Sequence, residues 1–200
     1  MFRVFSGCFI AALFIAFSFG TKAAENSLVK LQTNYGDIFL TLNKEKAPST
    51  VENFLRYVEA GRYTGTVFHR VKEDFVIQGG GYDKTYQPIE VFDAVKNEAK
   101  NGLKNTRGTI SMARFTDKDS ADSQFFINLR HNKNLDHRND TNVGYGYTVF
   151  GQVVQGMDVV EAISKIPTGS IDDIGDSVPA YPVILQDVSL VTSDEVMEQQ

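Results

Sequence analysis

From residue 28 onward, apolar and polar positions trade places with a period of two. Val29, Leu31 and Thr33 alternate with polar neighbours, and Ile38, Leu40 and Leu42 do the same beyond Asn34-Tyr35-Gly36-Asp37. Successive side chains of a strand point to opposite faces, so the pattern predicts two half-buried strands joined as a hairpin. The period then changes. Val51, Phe54, Leu55 and Val58 share one helical face, Pro48 suits a first turn, Ser49 and Glu52 have capping-box spacing, and Gly61 suits the stop. Short apolar runs follow at 66–71, 75–78, 108–113, 124–128, 148–154 and 183–191, separated by polar, glycine-bearing loops. A second helix is predicted over 157–166, with Val159, Val160, Ile163 and Ile166 on one face and Pro167 closing it. Many short strands and two helices predict a mainly β domain, either a closed antiparallel barrel or a sandwich.

The first residues break this pattern. Met1-Phe2-Arg3 gives a short positive start, and the next 16 residues, 4–19, are uncharged and mostly apolar. A bilayer-spanning helix wants roughly 20 apolar residues, so a cleaved export signal over 1–23 is the expectation, rather than a retained anchor. Cutting after Ala23 puts Ala23 and Thr21 at the two positions that need small side chains. Residues 24–27 then form a short extension, 28–192 the domain, and 193–200 a polar tail. Cys8, the only cysteine, lies inside the signal and too early for a lipoprotein box, so the mature chain holds no thiol for disulfides, catalysis or metal. With 200 residues and no internal linker or repeat, one domain with a real core is expected.

Charge narrows the partners. Removal of Arg3 and Lys22 leaves 18 basic against 25 acidic residues, a net −7. No basic run is present, which opposes nucleic acid or an anionic membrane surface as partner.

Two separated segments carry the chemistry. Phe68-His69-Arg70-Val71-Lys72-Glu73-Asp74-Phe75-Val76-Ile77-Gln78-Gly79-Gly80-Gly81 and Ser123-Gln124-Phe125-Phe126-Ile127-Asn128 together resemble the active-site signature of cyclophilins, which isomerise X-Pro peptide bonds. Ala47-Pro48-Ser49-Thr50-Val51-Glu52-Asn53-Phe54, Asn105-Thr106-Arg107-Gly108-Thr109-Ile110-Ser111-Met112-Ala113-Arg114 and Gly144-Tyr145-Gly146-Tyr147-Thr148-Val149-Phe150-Gly151 match in family order. The last block is similar to the bacterial branch, especially its exported, periplasmic form.

The resemblance implies a closed eight-stranded antiparallel barrel capped by a helix at each end. It implies a monomeric isomerase that needs no cofactor, binds proline-containing polypeptides and assists folding of exported proteins, in the periplasm if the source is Gram-negative. Arg70 is the implied catalytic residue. Phe75, Val76, Phe126, Leu135 and Tyr147 would line the proline pocket and Gln78 would orient the arginine. Ala113, Arg114 and Gln124 would meet the peptide backbone, with His69 beside them. A second function, a proline-peptide-binding chaperone or surface adhesion factor with incidental turnover, draws on the same residues. Where tight cyclosporin binders of the family carry tryptophan, this chain has Asn134, which implies weak cyclosporin binding.

Other chemistries find little support. His131 and His137 lack the one-turn spacing of a helical zinc pair. Asp117, Asp119 and Asp122 open like a calcium loop, but no glycine stands sixth and Asn128, not glutamate, stands twelfth. Gly79-Gly80-Gly81 fits neither a P-loop nor a dinucleotide fingerprint, and no Gly-x-Ser-x-Gly elbow is present. Asn139-Asp140-Thr141 is a glycosylation acceptor pattern that matters only in a eukaryotic secretory pathway.

Overall fold

The structure is a computed structural model that describes Met1 and residues 27–197. The expected export signal, its cleavage site and Cys8 lie outside the described residues.

The alternating segments form β1 (Leu28–Thr33) and β2 (Gly36–Leu42), paired antiparallel from Leu28 opposite Thr41 to Thr33 opposite Gly36. Thr33 Oγ1 pins the turn by donating to the Gly36 carbonyl (2.7 Å) and accepting from Tyr35 N–H (3.0 Å). Val29, Leu31, Ile38, Leu40 and Leu42 are all fully buried, so the period of two correctly marks the inward face.

Helix α1 (Pro48–Glu59) buries Val51, Phe54, Tyr57 and Val58. Its start differs from the expected capping box. The N-cap is Ala47, without a side-chain cap. Glu98, from a distant loop, accepts from Ser49 N–H (3.2 Å), Thr50 N–H (2.9 Å) and Thr50 Oγ1 (2.7 Å). A carboxylate at a helix N-terminus satisfies orphan donors and faces the positive end of the dipole, so a tertiary contact does the work assigned to a local one. Phe54 then reaches the aromatic core, with ring centroids 5.1 Å from Tyr63, 5.5 Å from Phe125 and 5.2 Å from Phe150.

The remaining elements are β3 (Arg70–Lys72), β4 (Val76–Gly79), β5 (Thr109–Met112), β6 (Phe125–Asn128), β7 (Val149–Gln155), α2 (Met157–Ser164), β8 (Thr168–Ile171), β9 (Gly175–Pro179), β10 (Leu185–Val191) and α3 (Ser193–Met197). Eight of the strands form one antiparallel sheet in the order β10-β1-β2-β7-β5-β6-β4-β3. This sheet curls into a half-barrel rather than the expected closed barrel. Its end strands, β3 and β10, share no ladder; the segments before them meet at a single bridge, Val67 to Ile184.

Three further differences have local causes. Helix α2 stops at Ser164, short of 166, because its last turn tightens: Ile166 N–H bonds the Ile163 carbonyl at 3.1 Å. The hairpin β8–β9 was not expected, since all four residues of β8 are exposed and leave no alternation to read. The expected polar tail begins as α3, where Glu195 accepts from Thr192 N–H at 2.7 Å, which makes three α-helices among the described residues instead of two.

Candidate active site

The β3–β4 hairpin and β6 build the site. Between β3 and β4 the chain turns at Asp74, whose φ of 54° lies in the left-handed region, and Phe75 N–H bonds the Lys72 carbonyl at 3.1 Å. The register sets Arg70 opposite Gln78, and Gln78 opposite Phe126. Cross-strand partners share a face of the sheet, so these three side chains form one row. On the other face, Ile77, Phe125 and Ile127 are fully buried in the core.

A cleft of about 260 Å³ opens over that row. Phe75, Val76, Phe126, Leu135 and Tyr147 supply its apolar and aromatic lining, and Arg70, Gln78, Ala113 and Arg114 complete it. Phe126 is 4% exposed and meets Tyr147 edge-on at 5.6 Å. Arg70 reaches the Gln78 Oε1 atom at 3.5 Å, a long contact, and its guanidinium carbon lies 5.7 Å from the Phe75 ring centroid. Gln78 in turn donates through Nε2 to Gln124 Oε1 at 2.9 Å. Among the described residues, most of the five Arg70 donors have no protein partner, the state required of a group that must donate to a ligand.

Nine of the eleven residues singled out in the sequence share this cleft. Gln124 lines an adjoining cavity of about 240 Å³ that also touches Gln78, Ala113 and Arg114. A Cβ on Gly81 would fall 2.6 Å from the Gln124 side chain, so glycine there leaves room for that side chain against the backbone.

Arg114, expected to meet the peptide backbone, lines the cleft and is also tied to its neighbouring loops. Its guanidinium donates to the carbonyls of Gly146 (3.0 Å), Phe115 (2.8 Å) and Asn142 (2.7 Å), and its carbon lies 4.8 Å from the Tyr147 ring centroid. Arg114 thus braces the loop that carries Tyr147.

His69 stands apart from both cavities. It is 4% exposed and packs edge-on against Tyr82 at 4.8 Å. Burial, with a smaller push from the Arg70 charge, lowers its pKa from 6.5 to about 4, so the ring is neutral at pH 7. The unfolded chain therefore takes up a proton near pH 6.5 that the folded chain refuses until about pH 4. The folded state loses relative stability as pH falls through that window and loses nothing above it, by up to about 3 kcal/mol. Urea unfolding at pH 7.5 and pH 4.5 should show a smaller acid loss in His69→Gln than in wild type. An equal loss in both would remove His69 from the acid sensitivity.

The sequence reading passed over Asn132, a fully enclosed polar residue at the foot of the loop that carries Leu135. Polar residues in loops read as solvated, and neither period marks one that is buried.

The family profile for "cyclophilin type peptidyl-prolyl cis-trans isomerase/CLD" matches residues 28–190. The chain belongs to the cyclophilin family. It is 48% identical over 165 residues to a peptidyl-prolyl cis-trans isomerase of Streptomyces antibioticus, covering 82% of this chain and 99% of that one. Against peptidyl-prolyl cis-trans isomerase A of Dickeya dadantii it is 46% identical over 176 residues, 88% and 90% of the two chains. A crystal structure of a Cryptosporidium parvum cyclophilin, obtained in the presence of the dipeptide Ala-Pro, superposes with a TM-score of 0.67 at 26% identity, covering 83% of this chain and 99% of that one. This cyclophilin is a peptidyl-prolyl cis-trans isomerase, and its fold is that of the family.

Proposed function

We propose that this cyclophilin turns over X-Pro bonds in the Arg70 cleft and that its clients are exported polypeptides. The partial double-bond character of the peptide C–N bond sets a rotation barrier of roughly 18 to 20 kcal/mol. No covalent bond need break. At the twisted state the prolyl nitrogen regains its lone pair and becomes an acceptor. A guanidinium that donates to it stabilises the twisted amide more than the planar one, which lowers the barrier. The observation that carries this reading is the placement, at the edge of an aromatic cleft, of a half-buried arginine most of whose donors have no partner among the described residues. Phe126 and Tyr147 hold the proline ring, and exclusion of water strengthens the Arg70 contact.

Exchange NMR on an Ala-Pro peptide tests the reading directly. Cis and trans signals should exchange at least ten times faster with catalytic amounts of protein than without, a modest demand against the factor of roughly ten per 1.4 kcal/mol. Uncatalysed exchange in the presence of folded protein would overturn it.

The client class rests on residues 1–23. Their positive start, apolar run and small residues near Ala23 support export. The intact mass of protein recovered from its native host should correspond to a chain starting at Ala24 or Glu25. A mature form retaining Met1 would sink the export reading.

Asn134 is exposed and adjoins Leu135 of the cleft lining. An enclosed aromatic side chain buries about 150 to 250 Å², and a third of that at about 25 cal/mol per Å² is roughly 1 to 2 kcal/mol. Asn134→Trp should therefore tighten cyclosporin inhibition by about ten-fold, while turnover of a short peptide changes much less. Tight binding by the wild type with no gain in the variant would place Asn134 away from the inhibitor.

A further inference from the structure

Two walls of the cleft come from distant parts of the chain. Phe75 stands at the β3–β4 turn, and Leu135 lies in the loop after β6. Asn132, 1% exposed and not itself part of the lining, is bonded to both. Its Nδ2 donates to the Phe75 carbonyl at 2.9 Å and to Asn128 Oδ1 at 2.8 Å. Its own carbonyl accepts from Leu135 N–H at 2.9 Å. The remaining groups are used as well: Asn132 N–H donates to the Asn105 carbonyl at 2.8 Å, and Oδ1 accepts from Arg130 Nε at 3.2 Å.

Two of these partners, Asn128 and Asn105, are themselves fully buried and bonded. Asn128 Nδ2 donates to Thr109 Oγ1 at 3.0 Å. Asn105 donates to Asp136 Oδ1 through its backbone N–H (2.8 Å) and Nδ2 (3.1 Å), and accepts from Ser111 Oγ at 2.8 Å. Ser111 pairs in register with Phe126, the cleft floor. A buried polar network with its members satisfied behaves as a rigid unit. This one starts at the floor and reaches both walls. Leu135 also accepts from Tyr147 N–H at 3.0 Å, so the placement of Leu135 carries over to Tyr147.

We propose that Asn132 is a positioning residue that sets the gap between Phe75 and Leu135, and through it the preference of the site for the five-membered proline ring. The proposal rests on the reading of this cleft as the proline site. A fixed gap rejects a ring one methylene larger; a loose gap admits it. Arg70 lies on β3 and, among the described residues, hydrogen-bonds to no member of this network. Its tie to the moving wall is the Phe75 ring, 5.7 Å from its guanidinium carbon, while its hydrogen bond runs to Gln78 on the cleft floor and stays in place when the gap loosens.

The test compares wild type, Asn132→Ala and Asn132→Ser for binding of an Ala-Pro peptide and of its pipecolic acid counterpart, which has a six-membered ring. Affinity is read by NMR titration and turnover at saturation by exchange NMR. Asn132→Ala lacks both bonds donated by Nδ2 and is expected to bind the proline peptide about five-fold more weakly and to lose most of its preference over pipecolate, an effect within the range of one methylene in an apolar pocket. Its turnover at saturation should stay within about two-fold of wild type, because the Arg70 interaction is intact. Asn132→Ser keeps one donor and should fall between. A folded alanine variant with wild-type affinity and ring preference would overturn the proposal, as would affinity and turnover falling together in proportion to unfolded protein. If the alanine variant does not fold, the serine variant decides by the same two readouts. Wild-type binding without turnover would instead sink the Arg70 reading while leaving the gap measurable.

Discussion

Arg70→Ala should lower kcat/KM on an X-Pro peptide by at least ten-fold while leaving the protein folded. A charge-assisted hydrogen bond contributes about 1.5 to 3 kcal/mol, and a bond made only in the twisted state appears wholly in the barrier. The expected loss is therefore roughly ten- to 150-fold. Stability should change little. Arg70 makes one long hydrogen bond, 3.5 Å to Gln78, and its charge has no ion-pair partner among the described residues. Removal of such a group costs about 1 kcal/mol at most, a shift of roughly 2 to 4 °C in the thermal midpoint for a domain of this size. Arg70→Lys refines the test. Lysine keeps the charge as a point donor but lacks the planar fork, so it should recover only part of the loss. Near-normal turnover in a folded Arg70→Ala protein would take the arginine out of the mechanism and favour the peptide-binding chaperone reading.

What the sequence made legible follows from what its periods record. The period of two found β1 and β2 because one face of each is fully buried, and the 3.6 period found α1 because Val51, Phe54 and Val58 pack inward. Strand β8 has no buried residue and was invisible for that reason. The capping box failed differently: Ser49 and Glu52 have the right spacing, but the helix begins at Pro48 and a carboxylate from residue 98 reaches its N-terminus first. At the site, the resemblance gathered nine residues that share one cleft: the register sets Arg70, Gln78 and Phe126 side by side, and turns and loops bring Phe75, Ala113, Arg114, Leu135 and Tyr147 to them. It named His69 together with Arg70, whereas His69 is buried against Tyr82 just before β3 begins. It could not see that the Arg114 donors are spent on backbone carbonyls, or that Asn132 bonds two walls at once. Those are long-range contacts, and no local pattern encodes them.

Gly146→Ala should be the most damaging single-methyl change near the cleft. Gly146 has φ of +82°, a conformation that costs an L-residue roughly 1 to 2 kcal/mol. The added Cβ would also stand 2.6 Å from His137 N, 2.7 Å from the Asp136 carbonyl carbon and 2.8 Å from Leu135 O. All three are backbone atoms, so no rotamer change relieves the overlap and one strand of the loop must move. The Gly146 carbonyl accepts from Arg114 Nε and from Asn97 Nδ2 (3.1 Å), and the next N–H, of Tyr147, bonds Leu135. Movement there displaces Leu135, Tyr147 and Arg114 together, three of the nine cleft residues. We expect a loss of about 2 to 4 kcal/mol in stability, and turnover in the folded fraction reduced by about ten-fold, as follows when misplacement rather than chemistry limits the rate. Gly102→Ala is the control. Its φ is +87° but a Cβ there meets nothing within 4 Å, so it carries the conformational cost alone and should keep normal turnover. Matching thermal midpoints for the two variants, with turnover normal in both, would show that the contact of Gly146 with the 135–137 backbone does not hold the cleft in shape.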